Sequence, residues 1–351
     1  MDLPAGTRNY SYAQDMAIFR TRTHWLLLLL LFALLFTAPL YWTNYWLGLG
    51  NLIGITIIAA TGLNILTGYC GQLSIGHVGF IAVGAYTSAV LTGRFELPFL
   101  VGLICAGLLS GLVGVVFGLP SLRVKGFYLA ISTIAAQLII IWVIQHWSVT
   151  GGGLSLEVPP AEIAGFTFIS QGNRFYLITA IVVLVVFLAK NLARTRTGRA
   201  FVAIRDNDLA AQVMGINLFR YKLAAFFIGC FLAGISGSLL AHCFYGSLLA
   251  DFFTLPESVL YIGMIIIGGL GTTLGPILGV IFIRLLDRIL VVEFVPFLER
   301  TFTAFPAGFA SGITPMLFGL AIILFLILEP RGLAHRWQLF KASYRLWPFS
   351  Y

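Results

Sequence analysis

Apolar runs of about twenty residues, separated by short polar links, follow one another along most of the chain. A helix needs about 20 mainly apolar residues to cross a bilayer. Ten stretches qualify: 25–41, 48–67, 72–92, 99–119, 126–146, 174–190, 223–244, 257–274, 275–292 and 313–328. The stretches 257–274 and 275–292 are read as two spans, with a re-entrant turn over 271–279 as the alternative. No link is long enough to fold as a domain of its own. The pattern predicts an all-α integral membrane protein of about ten transmembrane helices. One membrane domain covers 25–330, between an N-terminal segment 1–24 and a tail 331–351, with a polar loop at 191–222.

One stretch breaks the pattern. Between Asn64 and Ala89, inside a run without charge, lie Gly68, Gly71, Gly76, Gly79 and Gly84 together with Asn64, Gln72, Ser74 and His77. In lipid every backbone N–H and C=O must be satisfied internally, so a broken polar segment is tolerated only against protein or a wet cavity. A second Gly-interrupted segment, Gly268 to Val280, occupies a comparable place in the second half. Paired broken segments suggest internal repeats meeting at a central pathway, and an inverted repeat is one arrangement that produces them. Asn64, Gln72, Ser74, His77, Gly268 and Gly271 are therefore the candidates for a translocation path. Hydrogen bonding between helices is the competing role for the four polar residues. Gly107/Gly111, Gly114/Gly118 and Gly275/Gly279 stand four apart, a spacing that close helix packing explains without chemistry.

Composition supports the class and charge orients it. Of 351 residues 59% are hydrophobic and 10% charged, far from the ~25% charged of a soluble domain. The net charge of +8 reflects Lys and Arg held on one face, not affinity for nucleic acid. Basic residues cluster at Arg8, Arg20 and Arg22, at Arg123 and Lys125, from Lys190 to Lys222, and at Arg331, Arg336, Lys341 and Arg345. With ten spans these fall on the same side, which the positive-inside rule makes cytoplasmic, so both termini are predicted inside. The leucine run after Arg22 lacks a small-residue cleavage site and is read as an uncleaved first helix. Cys70, Cys105, Cys230 and Cys243 are scattered singly and read as small buried hydrophobes.

The loop 194–222 is the long polar segment of that face. Asp206 or Asn207 caps a short helix over 209–214 by accepting from unpaired N–H groups. Gly215 stops it in a left-handed conformation, and Ala210 and Ala211 keep one face shallow for a partner. An ordinary solvated loop is the plainer alternative.

These residues carry a resemblance. The segments Gly68 to Val90, Leu122 to Ala135, Thr150 to Gly153, Thr197 to Asn217 and Gly268 to Val280 resemble the larger permease of the branched-chain amino-acid ABC importers, over nearly the whole chain from about Asn51 to Gly332. The resemblance implies that the loop is a coupling helix seated in an ATPase subunit. The importers' loop pattern of Glu-Ala-Ala, three residues, then Gly is matched by Ala210, Ala211 and Gly215, with Leu209 in place of the glutamate. Arg205, Asp206 or Asp208 is then the charged group that meets the ATPase. The resemblance also implies a second homologous permease, two ATPase subunits and a periplasmic solute-binding protein, in a bacterial inner membrane.

The chain has no phosphate-binding loop, since none of its lysines follows a glycine. ATP therefore belongs to partner subunits, and no cofactor, metal or catalytic residue is expected in the chain itself. Leucine, isoleucine and valine are the expected cargo, with urea, short amides or aromatic carboxylates as alternatives. An ion-coupled secondary carrier is the rival class. Such carriers place relay charges in the membrane, whereas the first eight spans have uncharged centres. Asp287, between Arg284 and Arg288, reads as a local ion-pair cluster near the outer surface, and Glu257 as the opening of a helix. Five isolated histidines argue against an enzyme.

Overall fold

The structure is a computed structural model that describes residues 22–119, 126–294 and 309–346. Arg8, Arg20, Arg123 and Lys125 lie outside the described residues.

Uninterrupted apolar sequence forms helices α1 (Arg22–Tyr41), α2 (Asn44–Leu63), α3 (His77–Gly93), α4 (Phe99–Gly118), α5 (Phe127–His146) and α6 (Gln171–Arg194). Two short polar helices follow, α7 (Arg196–Asp206) and α8 (Asp208–Val213). Then come α9 (Leu218–Leu239), α10 (Leu255–Gly268), α11 (Gly275–Arg288), α12 (Phe309–Leu328) and α13 (Leu333–Leu346). Wide helical turns extend α2 over Asn64–Tyr69, α9 over Leu240–Tyr245 and α11 over Ile289–Phe294. Among the described residues seven helical stretches are long and apolar enough to cross a membrane, accompanied by the shorter apolar helices Trp25–Tyr41 and His77–Gly93.

Several boundaries differ from expectation. The span expected from residue 72 begins at His77, because 70–76 is irregular. Ser170 starts α6 early, its hydroxyl accepting from Asn173 N–H at 3.2 Å. The stretches 257–274 and 275–292 become a hairpin of two 14-residue helices, α10 and α11, each only about 21 Å long. The turn of this hairpin is 269–274, and Gly275 to Gly279 are helical.

The chain is mostly but not wholly helical. Strand β1 (Leu156–Glu157) pairs antiparallel with β4 (Ser247–Leu248), and β2 (Glu162–Ile163) with β3 (Phe166–Thr167). The link between α5 and α6 thereby clasps the segment after α9, because non-helical backbone at that end needs partners. The basic residues from Lys190 to Lys222 and from Arg331 to Lys341 meet at the opposite end. There Gly271 abuts Arg205, and Gly269 abuts Arg331 and Ala334.

Helix α9 is the hub, packed against α2, α3 and α4. Its approach depends on missing side chains. A Cβ on Gly84 would overlap the backbone of Gly234, and one on Gly237 the carbonyl of Ile81. Along α4, Gly107 faces the Phe231 ring, Gly111 the Phe227 ring, Gly114 the Cys230 side chain and Gly118 the Phe226 ring. Without a hydrophobic drive between helices in lipid, such close van der Waals contact supplies the association. Gly84→Leu is expected to cost at least about 1–3 kcal/mol of overpacking. Lower thermal stability of the detergent-solubilised protein would report it. Gly48→Ala, with nothing within 4 Å of the new Cβ, should not lower stability, since alanine favours the helix over glycine.

Candidate functional site

The two broken segments meet. The Asn64 side chain accepts from Gly271 N–H through Oδ1 at 2.9 Å and donates from Nδ2 to Thr272 O at 2.9 Å. It acts as a surrogate peptide, satisfying one donor and one acceptor that the hairpin turn leaves open. Tyr69 and Thr273 hydroxyls share a 3.3 Å hydrogen bond beside it. Gly68 has no room for a Cβ, which would overlap Asn64 Oδ1. Gly271 adopts φ 70°, in the left-handed region that favours glycine. Gly268 lets α10 approach α11, since a Cβ there would overlap Gly275 O. The C-terminal ends of α2 and α10 thus lie side by side and run in the same sense.

A third element closes on the junction from α7. Arg205 Nη1 donates to Gly68 O at 3.0 Å, and Nε donates to Asp206 Oδ1 at 2.9 Å. Its aliphatic stem lies over Gly71, where φ is 72°. Arg205 therefore faces inward as well as outward, its side chain still 37% exposed. Asn207, not Asp206, caps α8, accepting from Ala210 N–H at 3.1 Å. Asp208 pairs with the buried Lys222 of α9 at 3.8 Å. Both candidate carboxylates are thus already engaged within the chain.

Ala210 is exposed but Ala211 is buried, so the pair does not form one shallow face. The exposed surface of this short helix and its end is instead apolar, with Leu209 67%, Val213 87% and Met214 82% exposed. Gly215 ends it at φ 84° with open space around its α-carbon.

Of the remaining path candidates, Ser74 and His77 lie deeper. His77 Nε2 meets Ala59 O at 3.1 Å, ten residues and so about 15 Å along α2 from Tyr69. A carbonyl only accepts, so Nε2 carries the proton. Nearby, Val78 N–H donates to Ser258 Oγ at 3.1 Å, and Ser258 donates to Gln137 Oε1 at 2.7 Å. Gln72, Ser74 and His77 are buried, and Gln72 Oε1, Ser74 Oγ and His77 Nδ1 have no partner among the described residues. The structure therefore separates the six candidates. Asn64, on the same segment as Gly68, joins Gly268 and Gly271 at the basic end. Gln72 is buried beside that segment, its N–H donating to Leu66 O at 3.1 Å. Ser74 and His77 form a deeper buried layer around the start of α3.

A profile described as the branched-chain amino acid transport system permease component matches residues 45–328. The chain belongs to this permease family. It is 30% identical over 306 residues, 80% of this chain and 67% of the relative, to the high-affinity branched-chain amino acid transport system permease protein LivM of Salmonella typhimurium. The LivM of Escherichia coli K12 is likewise 30% identical, over 81% of this chain and 69% of its own. The autoinducer 2 import system permease protein LsrC of Enterobacter sp. 638 is 27% identical over 77% of this chain and 70% of its own. No solved structure matches the chain.

The permease also carries pairings across the fold that the sequence did not reveal. Arg284 is buried and pairs across the hairpin with Glu257 at 3.7 Å. Asp287, one turn along α11, also acts on it electrostatically. Counted from the hairpin turn, Arg284 and Glu257 both stand about 15 Å from the basic end, in a bundle whose Asn44–Tyr69 stretch of 26 residues is about 39 Å tall. Near the strand-capped end, His242 Nδ1 donates to Pro159 O at 2.7 Å. Its Nε2 then accepts from Ser88 at 2.9 Å, and Ser88 accepts from Ser238 at 2.8 Å. Isolated Ser, His and Pro residues offered no local signal for this network. Among the described residues no group of three metal-ligating side chains assembles.

Asn64→Leu removes both surrogate-peptide bonds at similar volume. With two backbone groups unsatisfied at about 1–3 kcal/mol each, it should destabilise the hairpin turn. A cysteine at Thr273 should then become more reactive to a membrane-impermeant thiol reagent than in a background retaining Asn64.

Proposed function

We propose that the chain is the translocation subunit of an ABC importer, one half of a two-permease pore in a bacterial inner membrane. It carries leucine, isoleucine or valine delivered by a periplasmic binding protein. Family membership supports permease function, and the names of the LivM relatives support the cargo. The basic end is cytoplasmic under the positive-inside rule. In this reading about ten spans place both termini inside, and the strand-capped end receives the binding protein.

The observation that carries the coupling role is the apolar tip of α8 at the basic end. Leu209, Val213 and Met214 are each more than two-thirds exposed beside a belt of Arg and Lys. Exposed apolar residues grouped on one small projecting helix mark an interaction surface, here for a groove of the ATPase subunit. When two ATPase subunits close on ATP, the helix moves with them. Asp208 to Lys222 ties that movement to α9, and Arg205 ties it to Gly68 and the hairpin turn. ATP stays with the partner subunits, and the permease itself performs no hydrolysis. Relatives named for autoinducer 2 keep a related small solute as the second reading.

The test is reconstitution of the permease with its partner permease, two ATPase subunits and the binding protein in liposomes. ATP-driven leucine uptake is expected, and uptake driven by an ion gradient without ATPase subunits would overturn the reading. Val213→Asp should abolish ATPase co-purification while leaving membrane insertion intact. Gly215→Val forces a β-branched residue into the left-handed region, at about 1–3 kcal/mol. It should lower transport per ATP hydrolysed, and an unchanged ratio would count against the coupling role of α8.

A further inference from the structure

We propose that Arg284 and Glu257 form a way-station for an α-amino acid in the middle of the pore, Arg284 taking the carboxylate and Glu257 the ammonium group. This deepens the proposed import of amino acids and rests on it. Both groups stand near the centre of the bundle, where a bilayer makes unpaired charge costly and charged residues mark a solute path. Their contact is loose at 3.7 Å. Arg284 Nε is buried and has no acceptor among the described residues, so the guanidinium fork is not consumed by Glu257.

The Glu257 side chain is 40% exposed. A carboxylate exposed at this depth cannot face acyl chains, so its open side faces water or the second permease. Besides Glu257, the half-buried Asp287 one turn along α11 acts on Arg284 electrostatically, and two helix ends add positive potential at this level. Helices α3 and α10 both begin at this level and are joined by the Val78 N–H to Ser258 bond, bringing two positive dipole ends together. Tyr245 and Tyr261 lie within electrostatic reach of both charges. Arg288 is engaged elsewhere, stacked 3.9 Å over the Tyr45 ring.

Stability does not account for such a pair, because burying an ion pair roughly cancels its attraction against desolvation. A zwitterion complements both charges, whereas urea or an amide carries neither and an aromatic carboxylate would engage only Arg284. Arginine also holds a carboxylate in a two-pronged fork that lysine cannot reproduce.

The experiment uses the full importer. It measures labelled leucine uptake in proteoliposomes, and leucine binding to the solubilised complex without binding protein by equilibrium dialysis. Glu257→Gln and Arg284→Met should each lower uptake and binding about tenfold or more, the scale of one charge-assisted hydrogen bond. Arg284→Lys should fall between these and the wild type. ATPase stimulation by loaded binding protein and co-purification of the second permease should persist. The exchanged pair Glu257→Arg with Arg284→Glu should restore neither binding nor uptake. Unchanged uptake in the single variants would overturn the inference, as would recovery in the exchanged pair, which would mark a structural ion pair. Loss of co-purification in the single variants would assign the charges to the subunit interface and overturn it too. Absence of ATP-driven leucine uptake by the wild-type importer would instead overturn the proposed function itself.

Discussion

Broken backbone in apolar surroundings must find hydrogen-bond partners from within the protein, and the Asn64 amide is where this molecule meets that requirement. One side chain at the end of α2 satisfies a donor and an acceptor of the hairpin turn 269–274. Gly68 and Gly271 make the approach possible, because a Cβ on either would collide with the other segment. The Gly68 carbonyl then remains for Arg205, which adds the polar helices α7 and α8 to the same junction. Three parts of the chain, far apart in sequence, are held at one point.

That point lies between the two features on which transport would depend. On one side is the apolar tip of α8, whose exposed Leu209, Val213 and Met214 invite a partner. On the other is the hairpin of α10 and α11, which carries Glu257 and Arg284 to mid-depth. Packed interfaces switch between discrete arrangements rather than deforming continuously, so contacts at this junction can carry a displacement. In the proposed mechanism, a shift of α8 relative to the membrane helices would reach the hairpin turn through Arg205. The His242, Ser88, Ser238 and Pro159 network anchors the opposite end, so the strand-clasped cap and the basic end are held by separate polar clusters.

Much of this was legible in the sequence because it depends on local properties. The length of apolar runs placed the helices, and the Gly, Asn, Gln, Ser and His residues between 64 and 84 marked a segment that regular helix could not accommodate. The recurrence at 268–280 marked its counterpart, and Lys and Arg marked one face. Gly215 was recognisable as a left-handed stop, and α8 as a short helix before it. Its cap was narrowed to two residues, of which Asn207 proved to be the one.

Pairings across the fold were not legible, for a physical reason. Asn64 and Thr272 are separated by 208 positions, and nothing local distinguishes a side chain that will bridge two segments from one that will face a pore. Arg205 read as a surface charge because neighbouring residues are polar, and only the approach of Gly68 and Gly71 turned it inward. Arg284 read as part of a cluster with Asp287 and Arg288 because those lie nearest in sequence; Asp287 does act on it, and the hairpin adds Glu257 at 3.7 Å. The amino-acid sequence by itself determined which segments are apolar enough to leave water and where their helices must break, because both are set by the residues in place. The tertiary structure alone decided which breaks meet and which charges face one another. Those choices depend on close packing between distant helices, and no single segment contains them.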